Sequence, residues 1–139
     1  MANPLPLAVL ISGSGSNLQA LIEARRRGDL ACSIEVVIAD RVDAGGLERA
    51  RVAGIETRVV AWSDHPDRTS FTEAVCNAAG EFHVSGLILA GFMRILSPLA
   101  VERYPDAIIN VHPALLPAFP GARAVEAALE YGVAVTGVT

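Results

Sequence analysis

Short apolar runs alternate with segments of helical periodicity along this chain. Residues 5–11 form an apolar run that contains Val and Ile and ends at a glycine–serine stretch. A run of this length predicts a strand buried on both faces of a sheet. Leu18, Leu21 and Ile22 then recur at helical spacing, and Gly28 follows them as a stop signal. Repeated strand–helix units predict a parallel sheet covered by helices.

The same alternation continues to residue 131. We predict further strands at residues 34–39, 57–61, 87–90 and 107–111, and helices at residues 46–53, 68–79, 98–103 and 124–131. Residues 133–139 resume the apolar alternation and are predicted as a sixth strand. The expected fold is α/β, a Rossmann-like, open and mainly parallel sheet with helices on both faces. No linker or internal repeat interrupts residues 1–139, which are therefore expected to form a single domain.

The composition disfavours several classes of protein. Hydrophobic residues make up 52% of the chain and charged residues 19%, which indicates a buried core and not disorder. The formal net charge of −4 gives no reason to expect a nucleic-acid partner. No apolar run has the length of a membrane span and residues 1–6 do not resemble a secretory signal, so a cytoplasmic protein with no membrane partner is expected. Cys32 and Cys76 lack metal-ligand or redox spacing and are expected to be buried free thiols.

A glycine–serine loop connects the first predicted strand to the first helix. Its sequence is Gly13-Ser14-Gly15-Ser16-Asn17. Small residues let backbone amides approach a ligand, and a helix N-terminus favours an anion, so phosphate is the expected ligand. An alternative is that Ser14, Ser16 or Asn17 serves only as the helix N-cap. Leu18 stands where a dinucleotide fingerprint needs a small residue, which disfavours a dehydrogenase. Asp40 is nevertheless placed like a ribose-binding acid, so a dehydrogenase remains an alternative. A turn that binds no ligand is another alternative.

Asn110 and His112 lie two residues apart at the end of the predicted fifth strand. Strand periodicity points both side chains to one face, and Pro113 keeps His112 extended. An imidazole can pass protons near neutral pH, and a carboxamide can donate to an oxygen that gains negative charge, so the pair suits acyl transfer to a nitrogen. The alternative is a structural histidine held by a hydrogen bond. His65 and His83 have no such neighbours and are predicted to be surface residues.

Three segments closely resemble the glycinamide ribonucleotide formyltransferases of purine synthesis, and the resemblance covers essentially the whole chain. The segments are Leu-Ile-Ser-Gly-Ser-Gly-Ser-Asn-Leu at residues 10–18, Leu-Ala-Gly-Phe-Met-Arg-Ile-Leu-Ser-Pro at residues 89–98 and Ile-Asn-Val-His-Pro-Ala-Leu-Leu-Pro at residues 109–117. The resemblance implies transfer of the formyl group of 10-formyltetrahydrofolate to the amine of glycinamide ribonucleotide. Formylglycinamide ribonucleotide and tetrahydrofolate would be the products, with no metal or redox cofactor.

The resemblance also implies a role for each residue of the expected site. Gly15, Ser16 and Asn17 would hold the ribose phosphate, which agrees with the anion site inferred from the loop itself. Asn110 would orient the formyl oxygen within the folate site, and His112 would stabilise the tetrahedral intermediate and relay a proton. The segment expected to recognise folate, largely through backbone groups, comprises Met93, Arg94, Ile95 and Leu96, and Arg68 is a further expected folate-site residue.

Two departures from the family pattern bear on activity. Family members continue through a further strand and a loop with an aspartate that orients the histidine, and this chain ends before both, so we expect substrate binding with poor turnover or none. Arg123 stands where the family often has a histidine. The family resemblance allows a homodimer.

Other enzymes and a binding module remain alternatives. Methionyl-tRNA formyltransferase and formyltetrahydrofolate hydrolase share the Asn-x-His-Pro segment, whereas the glycine–serine loop favours a small phosphorylated substrate. A catalytically inactive binding module is a further alternative from a different class.

Overall fold

A computed structural model describes residues 3–139 of the chain. The chain divides into two compact units, one ending at Ile109 and the other spanning Asn110–Thr139. Within residues 3–139, no helix combines the length and the apolar character that a membrane span requires.

The secondary structure follows the predicted order, and predicted boundaries agree to within two residues. The strands are β1 (Leu5–Ile11), β2 (Cys32–Ala39), β3 (Glu56–Val59), β4 (Gly86–Leu89) and β5 (Ile108–Asn110). The helices are α1 (Ser16–Arg27), α2 (Gly46–Val52), α3 (Arg68–Gly80), α4 (Pro98–Arg103) and α5 (Ala124–Tyr131), with a short 3-10 turn at Trp62–Asp64.

The predicted sixth strand at residues 133–139 is wrong, because the structure has no strand there. Gly132 ends α5 in the left-handed conformation, with φ at 81°. Beyond it, the Val133 N–H donates back to the Ala128 carbonyl of α5 at 3.3 Å. The His112 N–H donates to the Thr139 carbonyl at 2.8 Å, and the Thr139 N–H donates to the His112 carbonyl at 3.0 Å. Apolar alternation in this segment therefore does not produce a ladder, because a strand requires pairing along several residues.

The strands form a single sheet in the order β3-β2-β1-β4-β5. The β1–β2, β1–β4 and β2–β3 pairs are parallel, which confirms the predicted class of sheet. From β1 the chain moves outward to β2 and β3, and it then returns to the other side of β1 with β4. Strand order therefore reverses between β1 and β4, and the carboxyl ends of these strands are where open α/β sheets bind ligands.

Helices cover both faces of the central strands. Alternate residues of β1 and β2 point to opposite faces, as strand geometry requires. One face packs against α3 and α4, and its buried side chains include Leu10, Ile38, Phe71, Val75 and Ala100. The other face packs against α1 and α2, and its buried side chains include Ile11, Val37, Leu18, Leu47 and Ala50. Two buried faces explain why the strands are continuously apolar in sequence.

The cysteines and two of the histidines partly differ from expectation. Both cysteines are free, and Cys76 is buried as predicted, whereas Cys32 is only half-buried because it begins β2. His83 is exposed as predicted. His65 is half-buried, because its ring packs edge-on against Phe71 with the ring centroids 5.7 Å apart.

Candidate active site

A cavity of about 380 Å³ opens at the carboxyl ends of β1, β2 and β4. The glycine–serine loop after β1 supplies one wall, and residues following β2 and β4 supply the rest. The cavity is lined by Ser12, Gly13, Ser14, Gly15, Ser16, Asn17, Asp40, Arg41, Ala90, Gly91, Met93 and Arg94. The structure thus brings the three predicted phosphate-binding residues together with two of the predicted folate-binding residues.

The glycine–serine loop is held in place by the start of α2. The Gly46 N–H donates to the Gly13 carbonyl at 3.0 Å. Arg49 Nε donates to the Ser14 carbonyl oxygen at 2.7 Å. These contacts fix the loop, whose residues and the first residues of α1 line the cavity, and the free amides of a helix N-terminus favour an anion.

The side chains of the loop remain available to a ligand. Ser14, Ser16 and Asn17 are exposed. The N-cap of α1 is Gly15, in the left-handed conformation, and no side chain caps the helix. The alternative that Ser14, Ser16 or Asn17 serves as the N-cap is therefore wrong, because the glycine occupies that position.

Two arginines contribute positive charge to the cavity wall, and each is paired with an aspartate. Arg41 donates to both carboxylate oxygens of Asp43, with Nη2 at 2.6 Å from Oδ2. Hydrogen bonding between these exposed groups raises the pKa of Arg41 and lowers that of Asp43. Arg94 Nε donates to Oδ2 of Asp40 at 2.6 Å.

Asp40 does not serve as a free ribose-binding acid. Its side chain is only 1% exposed, and one carboxylate oxygen is taken by Arg94. A ribose-binding acid must present its carboxylate to the ligand. The geometry around Asp40 therefore gives no support to the dehydrogenase alternative.

The predicted folate-binding residues occupy different surroundings. Met93 and Arg94 line the cavity. Ile95 is 74% exposed, and Leu96 packs against the core on the α3 side of the sheet. Arg68 is exposed at the first position of α3 and is not part of the cavity lining.

Asn110 and His112 belong to the second unit. Asn110 is exposed at the last position of β5, and His112 is half-buried. The His112 Nε2 lies 2.9 Å from the Phe119 carbonyl oxygen. Because a carbonyl can only accept, Nε2 carries the hydrogen, and Nδ1 is left as the nitrogen that can take up a proton. This hydrogen bond fixes the ring orientation and is compatible with both a catalytic and a structural histidine.

The sequence model of the family described as formyl transferase matches residues 5–139. The chain belongs to the formyl transferase family. Members with solved structures share its fold, and glycinamide ribonucleotide transformylase 1 from Symbiobacterium toebii superposes with a TM-score of 0.95 at 43% identity, over 100% of this chain and 66% of that one. Glycinamide ribonucleotide transformylase 1 from Geobacillus kaustophilus superposes with a TM-score of 0.93 at 38% identity, over 98% of this chain and 72% of that one.

Curated relatives carry names from purine biosynthesis. The phosphoribosylglycinamide formyltransferase of Escherichia coli is 41% identical over 126 residues, which cover 91% of this chain and 59% of the bacterial protein. The human trifunctional purine biosynthetic protein adenosine-3 is 46% identical over 133 residues, which cover 96% of this chain and 13% of that protein. The chain thus spans about three fifths of the bacterial relative and a small part of the human one.

Sequence patterns did not indicate two residues that shape the candidate site. Ser12 is buried at the carboxyl end of β1, and its hydroxyl accepts a hydrogen bond from the Met93 N–H at 2.8 Å. Arg49 is 35 positions from the loop that it holds. Ser12 had a local signal in the sequence, because it is a polar residue at the end of an apolar run. Arg49 had none, because the fold determines which distant residue its side chain contacts.

Proposed function

We propose that this formyl transferase transfers the formyl group of 10-formyltetrahydrofolate to the amine of glycinamide ribonucleotide, giving formylglycinamide ribonucleotide and tetrahydrofolate. The observation that carries the proposal is the cavity at the switch point of the sheet. Gly15, Ser16 and Asn17 line it on one side, and Met93 and Arg94 line it on another. The residues proposed to bind the phosphate and two of those proposed to recognise folate therefore line one cavity.

The phosphate assignment is supported by the loop geometry. The buried Gly15 and the exposed Ser16 and Asn17 lie at the N-terminus of a helix of 12 residues. The amides of the first helical turn have no partner within the helix, and the helix dipole adds partial positive charge there. We propose that these amides and the Ser16 and Asn17 side chains bind the phosphate of the ribonucleotide.

The chemistry assigned to Asn110 and His112 is nucleophilic acyl transfer. The substrate amine attacks the formyl carbon, and negative charge develops on the formyl oxygen as a tetrahedral intermediate forms. The Asn110 carboxamide would donate to that oxygen. His112 would relay the amine proton to N10 of the folate, so that the C–N10 bond breaks and tetrahydrofolate leaves. All atoms come from the two substrates, and the proposed steps call for no metal.

The ribonucleotide is preferred over tRNA as the acceptor. The chain carries 11 basic and 15 acidic residues, and so offers little general attraction for a polyanion. The relative from Escherichia coli is named for phosphoribosylglycinamide, which is a small phosphate-bearing acceptor. We further propose a cytoplasmic location and a single catalytic domain over residues 1–139, as predicted from the sequence, and a homodimer, which rests on the family resemblance.

Calorimetric titration with glycinamide ribonucleotide tests the substrate assignment. We expect saturable binding by the unmodified chain and a loss of about tenfold or more in affinity for Asn17→Leu, because the larger side chain obstructs the phosphate and removes a donor. Ala20→Leu is the matched control, since Ala20 is also exposed on α1 and lies outside the cavity lining. Absence of saturable binding, or equal affinity for the two variants, would contradict the proposal.

A further inference from the structure

We propose that Asp40 is a positioning residue for the proposed folate-binding segment and that it acts through Arg94. The inference rests on the proposed function. It adds Asp40, which directly follows β2, to the residues that position the site. Its basis is the way in which the loop formed by residues 91–96, here called the 91–96 loop, is attached to the sheet.

The main chain of the 91–96 loop is fixed at both ends. The Ser12 N–H donates to the Gly91 carbonyl at 3.3 Å, and the Met93 N–H donates to the Ser12 hydroxyl at 2.8 Å. Just past the other end, the Ser97 N–H donates to the Thr72 hydroxyl at 2.9 Å. Ser12 and Thr72 are buried, so these bonds are sheltered from water and hold both loop ends in one conformation.

Alternate side chains of the 91–96 loop are anchored, and those between them are free. Phe92 is buried and stacks on Phe71, with the ring centroids 6.3 Å apart. Leu96 packs against the same core. Met93 is 70% exposed and Ile95 is 74% exposed. The loop therefore has a fixed conformation in which the side chains of Met93 and Ile95 point outward. Two exposed apolar side chains of this kind suit contact with a planar, apolar region of a ligand.

Arg94 is the one charged anchor within the 91–96 loop, and its guanidinium is held on two sides. Nε donates to Oδ2 of Asp40 at 2.6 Å. The guanidinium carbon lies 5.1 Å from the centre of the Trp62 ring, within the range of a cation–π contact. The Arg94 side chain is 37% exposed, whereas that of Asp40 is 1% exposed. Arg94 thus links a buried carboxylate to the cavity wall.

The arrangement of Asp40 indicates that its contribution runs through Arg94. Among residues 3–139, its second oxygen, Oδ1, is buried without a hydrogen-bond partner. A buried carboxylate with so little compensation is costly, and the ion pair with Arg94 is its main compensation. The ion pair therefore adds little net stability, and its contribution is a fixed position of Arg94 in the site.

The single tryptophan of the chain reports on this contact without any ligand. Trp62 is the only tryptophan in the sequence, so fluorescence excited at tryptophan wavelengths comes from Trp62 alone. Its ring contacts the Arg94 guanidinium. We expect Asp40→Asn to release the guanidinium and to raise the quenching of Trp62 by acrylamide. The asparagine has nearly the shape of aspartate, and it removes a buried charge, so the chain is expected to fold.

Ligand titrations separate positioning from general damage to the fold. For Asp40→Asn, the Kd for a 10-formylfolate is expected to rise about tenfold, and that for glycinamide ribonucleotide by less than about twofold. In an Arg94→Gln background, adding Asp40→Asn is expected to change the folate Kd by less than about twofold, because the connection is already absent. If Asp40 had a purely structural role, Asp40→Asn would weaken the binding of both ligands together. It would also still weaken binding in the Arg94→Gln background.

The matched control is Asp29→Asn. Asp29 Oδ2 also accepts from an arginine Nε, that of Arg27, at 2.8 Å, but both side chains are more than half exposed. We expect this variant to match the unmodified chain in quenching and in both affinities, since exposed ion pairs contribute little.

Unchanged Trp62 quenching and unchanged folate affinity in Asp40→Asn would overturn the proposal, and so would equal weakening of both ligands. Failure of the proposed function has a different signature, because the unmodified chain would then bind neither ligand. In that case a rise in Trp62 quenching would still support the anchoring of Arg94 by Asp40, and its absence would refute it.

Discussion

A Cβ atom placed on Gly15 would lie 2.5 Å from the Cα of Gly46. Gly15 also has a φ of 76°, in the left-handed region that side chains with a Cβ rarely adopt. This close approach joins the glycine–serine loop to the start of α2. It restricts side chains at both positions, because a Cβ on Gly46 would lie 3.0 Å from the Cα of Gly15. The phosphate-binding geometry proposed for the loop therefore depends on two glycines 31 positions apart in the sequence.

Gly15→Ala is expected to destabilise the chain by about 1–3 kcal/mol, from backbone strain together with the contact against Gly46. Weaker binding of glycinamide ribonucleotide should accompany the loss, because the first turn of α1 must shift. Gly13→Ala is the control for stability, since a Cβ at that position of the same loop meets nothing within 4 Å. Urea unfolding measures both variants, and equal stability of the two would contradict this role of Gly15.

Local sequence patterns were sufficient to predict most of the fold. The apolar run at residues 5–11 became β1, and the stop signal at Gly28 became a left-handed helix end with φ at 83°. Such features are encoded in neighbouring residues. The error at residues 133–139 arose because alternation predicts which face a residue takes and does not supply the pairing that makes a strand.

The site was predictable where one segment carries the signal and not where distant segments meet. Gly15, Ser16 and Asn17 form a contiguous stretch, and the structure places them in the cavity. The pairing of Asp40 with Arg94 joins residues 54 positions apart, and nothing in either local sequence indicates it. The sequence suggested a ribose-binding role for Asp40 because of its place next to the second strand, but its burial and its pairing with Arg94 do not support that role.

Asp67 gives a pH-dependent prediction for the stability of α3. Its side chain caps the helix by accepting from the Ser70 N–H at 2.8 Å, and this bond lowers the pKa of Asp67 below its ordinary value of 3.8. A lowered pKa in the folded state means that the contribution is fully present above the unfolded pKa and is lost as the pH falls through the folded one. Asp67→Ala should therefore lower the Tm at neutral pH, and the difference from the unmodified chain should shrink as the pH falls below 3.8.

Asp67→Asn separates the cap from the charge. Asparagine is a good N-cap but does not ionise in this range, so its Tm should stay above that of Asp67→Ala at every pH. Thermal unfolding followed by circular dichroism at several pH values decides the point. A constant difference between the unmodified chain and Asp67→Ala across the acid range would show that ionisation of Asp67 does not contribute.

The two thiols are expected to differ in reactivity. Cys76 is fully buried, and burial raises the pKa of its thiol. The reactive thiolate of Cys76 is therefore scarce as well as inaccessible. Cys32, in contrast, is half-buried at the first position of β2. Alkylation of the folded chain followed by mass spectrometry should label Cys32 first and Cys76 only after denaturant is added. Labelling of Cys76 at the rate of Cys32 in the folded chain would contradict the packing around α3.

The proposed activity is tested most directly by a spectrophotometric assay of formyl transfer from a 10-formylfolate to glycinamide ribonucleotide. The chain is compared with His112→Asn and with His83→Asn, the latter changing an exposed histidine outside the proposed site. We predict slow transfer by the unmodified chain, a loss of roughly a hundredfold or more in kcat for His112→Asn with ribonucleotide affinity retained, and no loss for His83→Asn. Equal rates for the two variants would contradict the role of His112, and an unmodified chain that neither binds the ribonucleotide nor transfers the formyl group would contradict the proposed function.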